Sequence, residues 1–287
     1  MRRYGYFPGC SLMVTNRAYS ISATRVAREL GVELAEVSDW NCCGATAYLA
    51  LSEAKAFVMS ARNLALAEAE GHDTLVAACS GCYVVLRKTG KYLDEKPAVR
   101  SRVTKALAAG DMTYNRTVKV RHLLDVLVND CGEEGVRARV KKPLEGLKVA
   151  AYYGCQVGRP FGEADDPEFP VTMDRLMGWL GATTVDFPVR AACCGGLTMT
   201  TEPDLGMEMT GRILRVARER GADCIATACP LCQINLEAYQ DKIGRKLGTD
   251  LRMPVVYFTQ LMGRAFGLSS QEVMAQDSLT DVSAVLA

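Results

Sequence analysis

The sequence predicts an α/β protein built from two homologous halves, each a small, mostly parallel sheet flanked by helices. Two observations carry that prediction. Ten of the twelve cysteines fall into two matching sets, and the residues between them read as short apolar strands alternating with longer helices. The first set is Cys10, Cys42–Cys43 and Cys79-x-x-Cys82; the second is Cys155, Cys193–Cys194 and Cys229-x-x-Cys232. Equivalent cysteines are offset by 145, 151, 151, 150 and 150 residues. The residues around them repeat as well. Tyr6-Phe-Pro-Gly-Cys10 matches Tyr152-Tyr-Gly-Cys155, Asn41-Cys-Cys-Gly44 matches Ala192-Cys-Cys-Gly195, and Thr74–Cys82 matches Cys224–Cys232. The repeat divides the chain near Lys141–Gly146 into residues 1–145 and 146–287.

In the first half the expected order is strand Tyr4–Phe7, helix Arg17–Leu30, strand Val32–Glu36, helix Ala45–Glu70, strand Thr74–Ala77 and helix Gly81–Leu93. Arg100–Asn115 reads as a helix and turn with no counterpart in the second half. There, Lys148–Tyr153 is an apolar, aromatic-rich strand, Phe169–Leu180 a helix and Thr183–Phe187 a strand. Leu205–Arg220 is a helix ended by Gly221, and Cys224–Ala228 is a buried strand. Pro230 suits a first helical turn, so a helix runs from it to about Leu247. Each cysteine group then lies just past a strand or at a helix start, where loops gather at the carboxyl ends of parallel strands. The polar, small residues Ser269–Ala287 are expected to be loosely ordered or used for docking.

The chain has 287 residues, 49% of them hydrophobic, which is enough for a substantial core without disulfide staples. A net charge of +1 argues against a nucleic-acid binder, whose affinity rests on clustered Lys and Arg. The uncharged run Thr74–Leu86 is short of the roughly 20 residues that cross a bilayer, and no apolar stretch follows Arg2 and Arg3 as in a signal peptide. A cytoplasmic location is expected, with docking to a membrane-bound assembly as an option. In a reducing compartment twelve cysteines point to metal or redox chemistry rather than disulfides.

Thiolates are soft ligands that favour zinc, copper(I) and iron–sulfur clusters. A structural zinc takes four of them and leaves a fifth unused. Cubane clusters also take four, commonly in compact runs that this chain lacks. Adjacent cysteines reach neighbouring irons of a larger, irregular cluster more readily than one small ion. Five ligands around a Cys-Cys-Gly centre therefore point to a distorted multi-iron cluster, with Gly44 and Gly195 expected to let the backbone pass close to its core. Zinc in the N-terminal site is the lesser option, and a thioredoxin-type dithiol is disfavoured by the upstream Cys-Cys pairs.

This doubled pattern resembles the cysteine-rich CCG domains in the B subunit of heterodisulfide reductase, over nearly the whole chain to about Gly267. The resemblance implies that each motif holds a noncubane 4Fe-4S cluster and that the two clusters face each other. It implies cleavage of the disulfide linking coenzyme M and coenzyme B. It further implies a small iron–sulfur protein, the C subunit, that delivers electrons, and behind it a flavoprotein, the A subunit. Reducing a disulfide takes two electrons, while such clusters transfer one at a time, so two clusters flanking the S–S bond would each supply one. CCG-domain proteins also resemble parts of lactate-, glycerol-3-phosphate- and quinone-linked oxidoreductases. The rival reading is thus an electron relay or scaffold without its own disulfide substrate, and a zinc-stabilised interaction module is a third.

Outside the repeat, Cys131 and Cys224 read as buried hydrophobes. His72 is expected to be solvated in a helix-to-strand turn. His122, before the apolar segment Leu123–Val128, could donate a proton to a departing thiolate, or cap the helix. Arg17, Arg159 and Arg190 lie close to motif cysteines and could bind an anionic substrate tail, offset cluster charge, or be merely exposed.

Overall fold

The computed structural model describes residues 1–161 and 165–287. β1 (Arg2–Phe7) runs into α1 (Cys10–Met13) and α2 (Arg17–Glu29), which returns to β2 (Val32–Glu36). Next come α3 (Ala47–Leu51), α4 (Glu53–Ala69), β3 (Thr74–Ala77), α5 (Ser80–Glu95), α6 (Pro97–Ala108) and β4 (Lys119–His122). The sheet order is β2-β1-β3-β4, with every pairing parallel. Then α7 (Leu123–Asp125), a π-helical turn at Val126–Asp130 and α8 (Gly132–Arg137) lead to the second half.

There the chain forms β5 (Lys148–Tyr152), α9 (Thr172–Trp179), β6 (Thr183–Thr184), α10 (Thr198–Thr201) and α11 (Pro203–Glu219). β7 (Cys224–Thr227), α12 (Pro230–Ala238), α13 (Gln240–Leu247) and β8 (Val255–Tyr257) follow. Their order, β6-β5-β7-β8, repeats that of the first sheet and is again parallel throughout. α14 (Phe258–Ala265), a short turn of helix at Ala275–Asp277 and α15 (Ser283–Leu286) complete the chain. The central strands are continuously apolar because helices cover both faces: Leu75, Val76 and Ala77 of β3 and Cys224, Ile225 and Ala226 of β7 are fully buried. Proline opens α6, α11 and α12, where its missing N–H and fixed φ cost nothing. Among the described residues, no helix is long and apolar enough to cross a membrane.

Several expectations are corrected by the structure. The helix expected over Ala45–Glu70 breaks at Ser52, whose backbone is extended (φ −161°, ψ 99°), into α3 and α4. The strand expected over Thr183–Phe187 pairs only at Thr183 and Thr184, because the chain then turns towards the cysteine loop. The helix expected from Pro230 to Leu247 is interrupted at Tyr239 between α12 and α13. Each sheet gains an edge strand, β4 or β8, that the sequence reading lacked. His72 is not solvated: it is 8% exposed, and its ring sits so close to β1 that a Cβ on Gly5 would meet its Cδ2 at 2.9 Å. Nor is the C-terminal tail loose, since Val273, Val282, Val285 and Leu286 are all buried.

That tail closes over α14, and α14 belongs to the core of the other half. It packs along α2, with the Ser22 and Thr259 hydroxyls 2.6 Å apart in the buried seam. Tyr19 of α2 stacks on Tyr257 at the end of β8, their ring centroids 4.2 Å apart. One apolar cluster thus runs from Tyr19, Ala23 and Val26 through to Phe258, Leu261 and Met262.

Candidate metal and substrate site

Parallel strands deliver the cysteines. Cys10 opens α1 just beyond β1, Cys79 is the N-cap of α5 beyond β3, and Cys229 is the N-cap of α12 beyond β7. Cys155 follows β5, and the pairs Cys42–Cys43 and Cys193–Cys194 lie in the loops after β2 and β6. All ten line a single cavity of about 460 Å³. Within the first set, Cys43 and Cys82 sulfurs stand 3.2 Å apart, and Cys10 and Cys42 sulfurs 4.0 Å apart. Between the sets, Cys79 and Cys229 are coupled, each acting on the other's thiol so that Cys79 is raised and Cys229 lowered. The two halves therefore present one continuous surface of sulfur.

Glycines make the close approaches possible. Gly9 and Gly154, immediately before Cys10 and Cys155, have φ of +75° and +69°, and a Cβ on either would lie 2.9 or 3.0 Å from the sulfur of Cys82 or Cys232. Gly44 and Gly195 also make close approaches to helices. Their added Cβ atoms would meet Ala56 Cα and Gly206 Cα at 3.1 Å, so they seat the Cys-Cys loops on α4 and α11.

The thiols are electrostatically coupled. Hydrogen bonding from Cys10 and Cys43 holds Cys42 well below an ordinary thiol pKa, and Cys155 and Cys194 do the same for Cys193. Cys229 is lowered by Cys232 and Cys79 and by the backbone N–H groups of Cys232 and Leu231. Their partners are pushed up: Cys43 by Cys42, and Cys194 by Cys193, each to about 12. Each half thus holds at least one sulfur poised as thiolate, the form that binds metal. The donor set is anionic and soft, which suits iron–sulfur chemistry. Among the described residues, no three Cys, His, Asp or Glu side chains stand at the spacing of a single-ion site.

The second site is the more fully braced. Asn235 of α12 donates to the carbonyls of Cys194 (3.3 Å) and Gly196 (3.1 Å) and reaches the Cys194 sulfur at 3.8 Å. Thr210 donates to the same Cys194 carbonyl at 2.8 Å. In the first site Asn41 and Asn63 clamp each other instead, through bonds of 2.9 and 2.8 Å between side chain and backbone.

None of the three arginines lines the cavity. Arg17 is exposed at the start of α2. Arg159 pairs with Glu168 (3.1 Å) and donates to the Ala191 carbonyl, and from there its charge favours the Cys193 thiolate. Arg190 is occupied by Asp174 (3.3 Å) and by the carbonyls of Pro170 and Phe187 (both 3.1 Å), so it ties the loop after β6 to the start of α9. His122 also lies outside the cavity lining. It is 2% exposed, its Nδ1 accepts the Leu124 N–H at 3.1 Å, and burial lowers its pKa to about 4. It caps a helix and is neutral, so it is no imidazolium acid at neutral pH. Cys224 is fully buried in β7, and Cys131 is half-buried against the core.

Asn16 and Tyr257 escaped the sequence reading. Asn16 lines the cavity, donates to Ser11 (2.7 Å) and Thr15 (2.8 Å), and accepts from the Tyr257 hydroxyl (2.6 Å) across the seam between halves. A polar Asn next to a strand-ending Tyr has no local signature, because their pairing spans 241 residues.

Residues 4–87 and 149–237 both match the family described as cysteine-rich domain, CCG. Over 284 residues, 98% of either chain, the protein is 33% identical to the 8-methylmenaquinol:fumarate reductase membrane anchor subunit of Wolinella succinogenes. Over 280 residues it is 32% identical to the B subunit of the ferredoxin/F(420)H(2)-dependent CoB-CoM heterodisulfide reductase of Methanosarcina acetivorans, covering 95% of this chain and 92% of that one. A crystal structure of a hypothetical protein from Helicobacter pylori shares the fold with a TM-score of 0.78 at 15% identity, over 99% of this chain and 53% of that one. Both halves carrying the matched motif, and relatives of this kind aligned from end to end, the chain belongs to the CCG cysteine-rich domain family, together with the B subunit of heterodisulfide reductase.

Proposed function

We propose that this chain is the disulfide-handling component of a heterodisulfide-reductase-type complex, with a noncubane 4Fe-4S cluster in each five-cysteine set. The observation that carries the reading is the single cavity lined by all ten cysteines, those of both halves together. A relay would need two sites within electron-transfer reach, but it has no need of a shared void between them. Each cluster, when bound, would supply one electron, so the pair matches the two that a disulfide takes up with two protons. Cys10, Cys42, Cys43, Cys79 and Cys82 would hold one cluster, and Cys155, Cys193, Cys194, Cys229 and Cys232 the other. Arg159, by favouring the Cys193 thiolate, offsets part of the negative charge collected at the second site. The chain itself carries no cubane motif, so its electrons would come from an iron–sulfur protein of the C type and a flavoprotein of the A type. Such an assembly would work in the cytoplasm or on its side of a membrane.

A second reading rests on the 33% identity to a component of a fumarate reductase: the clusters would relay electrons within a quinone-linked oxidoreductase. Anaerobically purified protein separates the two. Two clusters mean about eight irons and eight sulfides per chain. With reduced methyl viologen as donor, the loaded protein should reduce disulfides, and Cys42→Ala and Cys193→Ala should each abolish turnover although each leaves one set of ligands intact. A protein carrying both clusters that reduces no disulfide, yet passes electrons to an acceptor protein, would establish the relay instead.

A further inference from the structure

The two halves carry opposite charges at one equivalent position beyond their CxxC motifs. Five residues after the last motif cysteine the first half has Arg87 and the second has Glu237, 150 residues apart like the cysteines themselves. Arg87 is half-buried, and a guanidinium does not lose its proton in a protein. Glu237 is 4% exposed. It lies on α12, the helix that Cys229 caps, about 7.5 Å along the axis from Cys232. Its hydrogen-bond partners among the described residues are all uncharged. One carboxylate oxygen accepts the Leu279 N–H (2.8 Å), the Thr280 N–H (2.9 Å) and the Thr280 hydroxyl (2.9 Å), and the other accepts from Gln233.

Burial raises the Glu237 pKa above that of an ordinary carboxyl. Burial raises Asp174 as well, but Asp174 has Arg190 as a counter-charge. The groups that face Glu237 are the Tyr257 hydroxyl from β8, Asp241 from α13, Arg252 from the loop before β8 and Asp281 from the tail. Arg252 is engaged by Asp241 at 2.8 Å, and Asp281 accepts the Ser283 N–H at 2.9 Å. With Glu237, Asp241, Arg252 and Asp281 line a surface pocket of about 550 Å³, so a proton can arrive from water without crossing the core. On its inner side Gln233 meets the Tyr257 hydroxyl at 3.4 Å, and that hydroxyl donates to Asn16 at the cavity wall. Negative charge added to the second cysteine set disfavours a carboxylate on the same helix, and by reciprocity a neutral Glu237 makes that set easier to reduce. Metal-bound thiols are held as thiolates, and His122 has a pKa of about 4, so neither competes for this proton near neutrality.

We propose that Glu237 takes up a proton when the second five-cysteine set gains an electron, while the first set, with Arg87 at the equivalent position, is reduced without one. This rests on the reading that both sets hold iron–sulfur clusters. The step balances simply. The Glu237 carboxylate becomes a carboxylic acid with a proton from water, the electron comes from a one-electron donor, and no other bond forms or breaks. Glu237 acts here as a positioning residue, tuning the second set without touching it.

Redox titration of the anaerobically purified full chain with dithionite, followed by paramagnetic resonance from pH 6 to 9, tests it. The signal missing from Cys193→Ala belongs to the second set. In the wild type its reduction equilibrium should weaken as pH rises, by up to about tenfold per pH unit, while that of the first set stays flat. Glu237→Gln, neutral at every pH, should flatten the second signal and leave it easier to reduce than wild type at pH 9. Glu237→Asp should restore the slope, which a purely structural role would not require. Infrared difference spectra of the wild type need no variant: reduction should add the C=O band of one protonated carboxyl group. The inference is overturned if both signals are flat in the wild type, if the slope belongs to the first set, if it survives Glu237→Gln, or if no such band appears. A second set that holds no reducible cluster would overturn this inference together with the two-cluster reading beneath it.

Discussion

Gly9 and Gly154 show how narrowly the sulfur cage is drawn. Both have a left-handed φ, and both lie within 3.0 Å of a sulfur in the position where a Cβ would be. Gly154→Ala therefore meets two penalties, backbone strain of about 1–3 kcal/mol and displacement of Cys232. Its expected outcome is loss of iron from the second set alone, with metal analysis finding about half the wild-type iron at unchanged secondary structure; a full complement would show that Cys232 has room to move. His122 offers a pH test. Burial lowers its pKa from 6.5 to about 4, so the unfolded chain takes up this proton before the folded one does. The stability it contributes is complete above 6.5 and is lost as pH falls through about 4, a difference of about 3 kcal/mol. His122→Asn keeps an acceptor for the Leu124 N–H and should remove that part of the acid slope. Denaturant unfolding of both proteins from pH 7 to 4 measures it, and parallel slopes would assign the acid sensitivity elsewhere.

Among the elements, α14 has little tolerance for change. It fills the seam against α2 and is itself covered by the tail, so Gly263 has no free volume: an added Cβ would lie 2.4 Å from Val273 Cγ1 and 3.8 Å from Val26 Cγ1. Gly263→Ala gains helix propensity but forces Val273 outward, and overpacking of this kind costs about 1–3 kcal/mol. A lowered urea midpoint with an unchanged m-value is the expected result. The edge strands tell a related story. Lys119-Val-Arg-His forms β4 through parallel pairing with β3, and Val255-Val-Tyr forms β8 against β7. Each is too short for periodicity to reveal, and each places a residue, His122 or Tyr257, that caps the helix after it.

For the whole molecule, the duplication in sequence is not a division into independent bodies. α14, from the second half, completes the core around α2 in the first, and Tyr257 reaches Asn16 over the same boundary. Residues 1–145 produced alone would expose the α2 face that α14 and Tyr257 cover, and would leave Cys79 without Cys229. The expected outcome is an aggregating fragment that retains no iron, and recovery of both solubility and iron when residues 146–287 are co-expressed. A monomeric 1–145 fragment with its own full iron complement would show that the seam is dispensable.

Much of this protein was determined by the sequence alone. The ten cysteines, their two sets, the α/β alternation and the buried central strands are all local or periodic features: a spacing, an apolar run, a proline at a helix start. The tertiary structure decided what depends on residues distant in sequence. It merged two cysteine sets into one cavity, gave Arg159 and Arg190 their acidic partners, buried His72 and the tail, and assigned Gly44 and Gly195 to helix packing. A side chain's burial and partners are set by whatever segment packs against it, and for most of these groups that segment lies in another element or in the other half. Local pattern could single out ten cysteines as candidate ligands; only the packing of the two halves brings both sets to the same space.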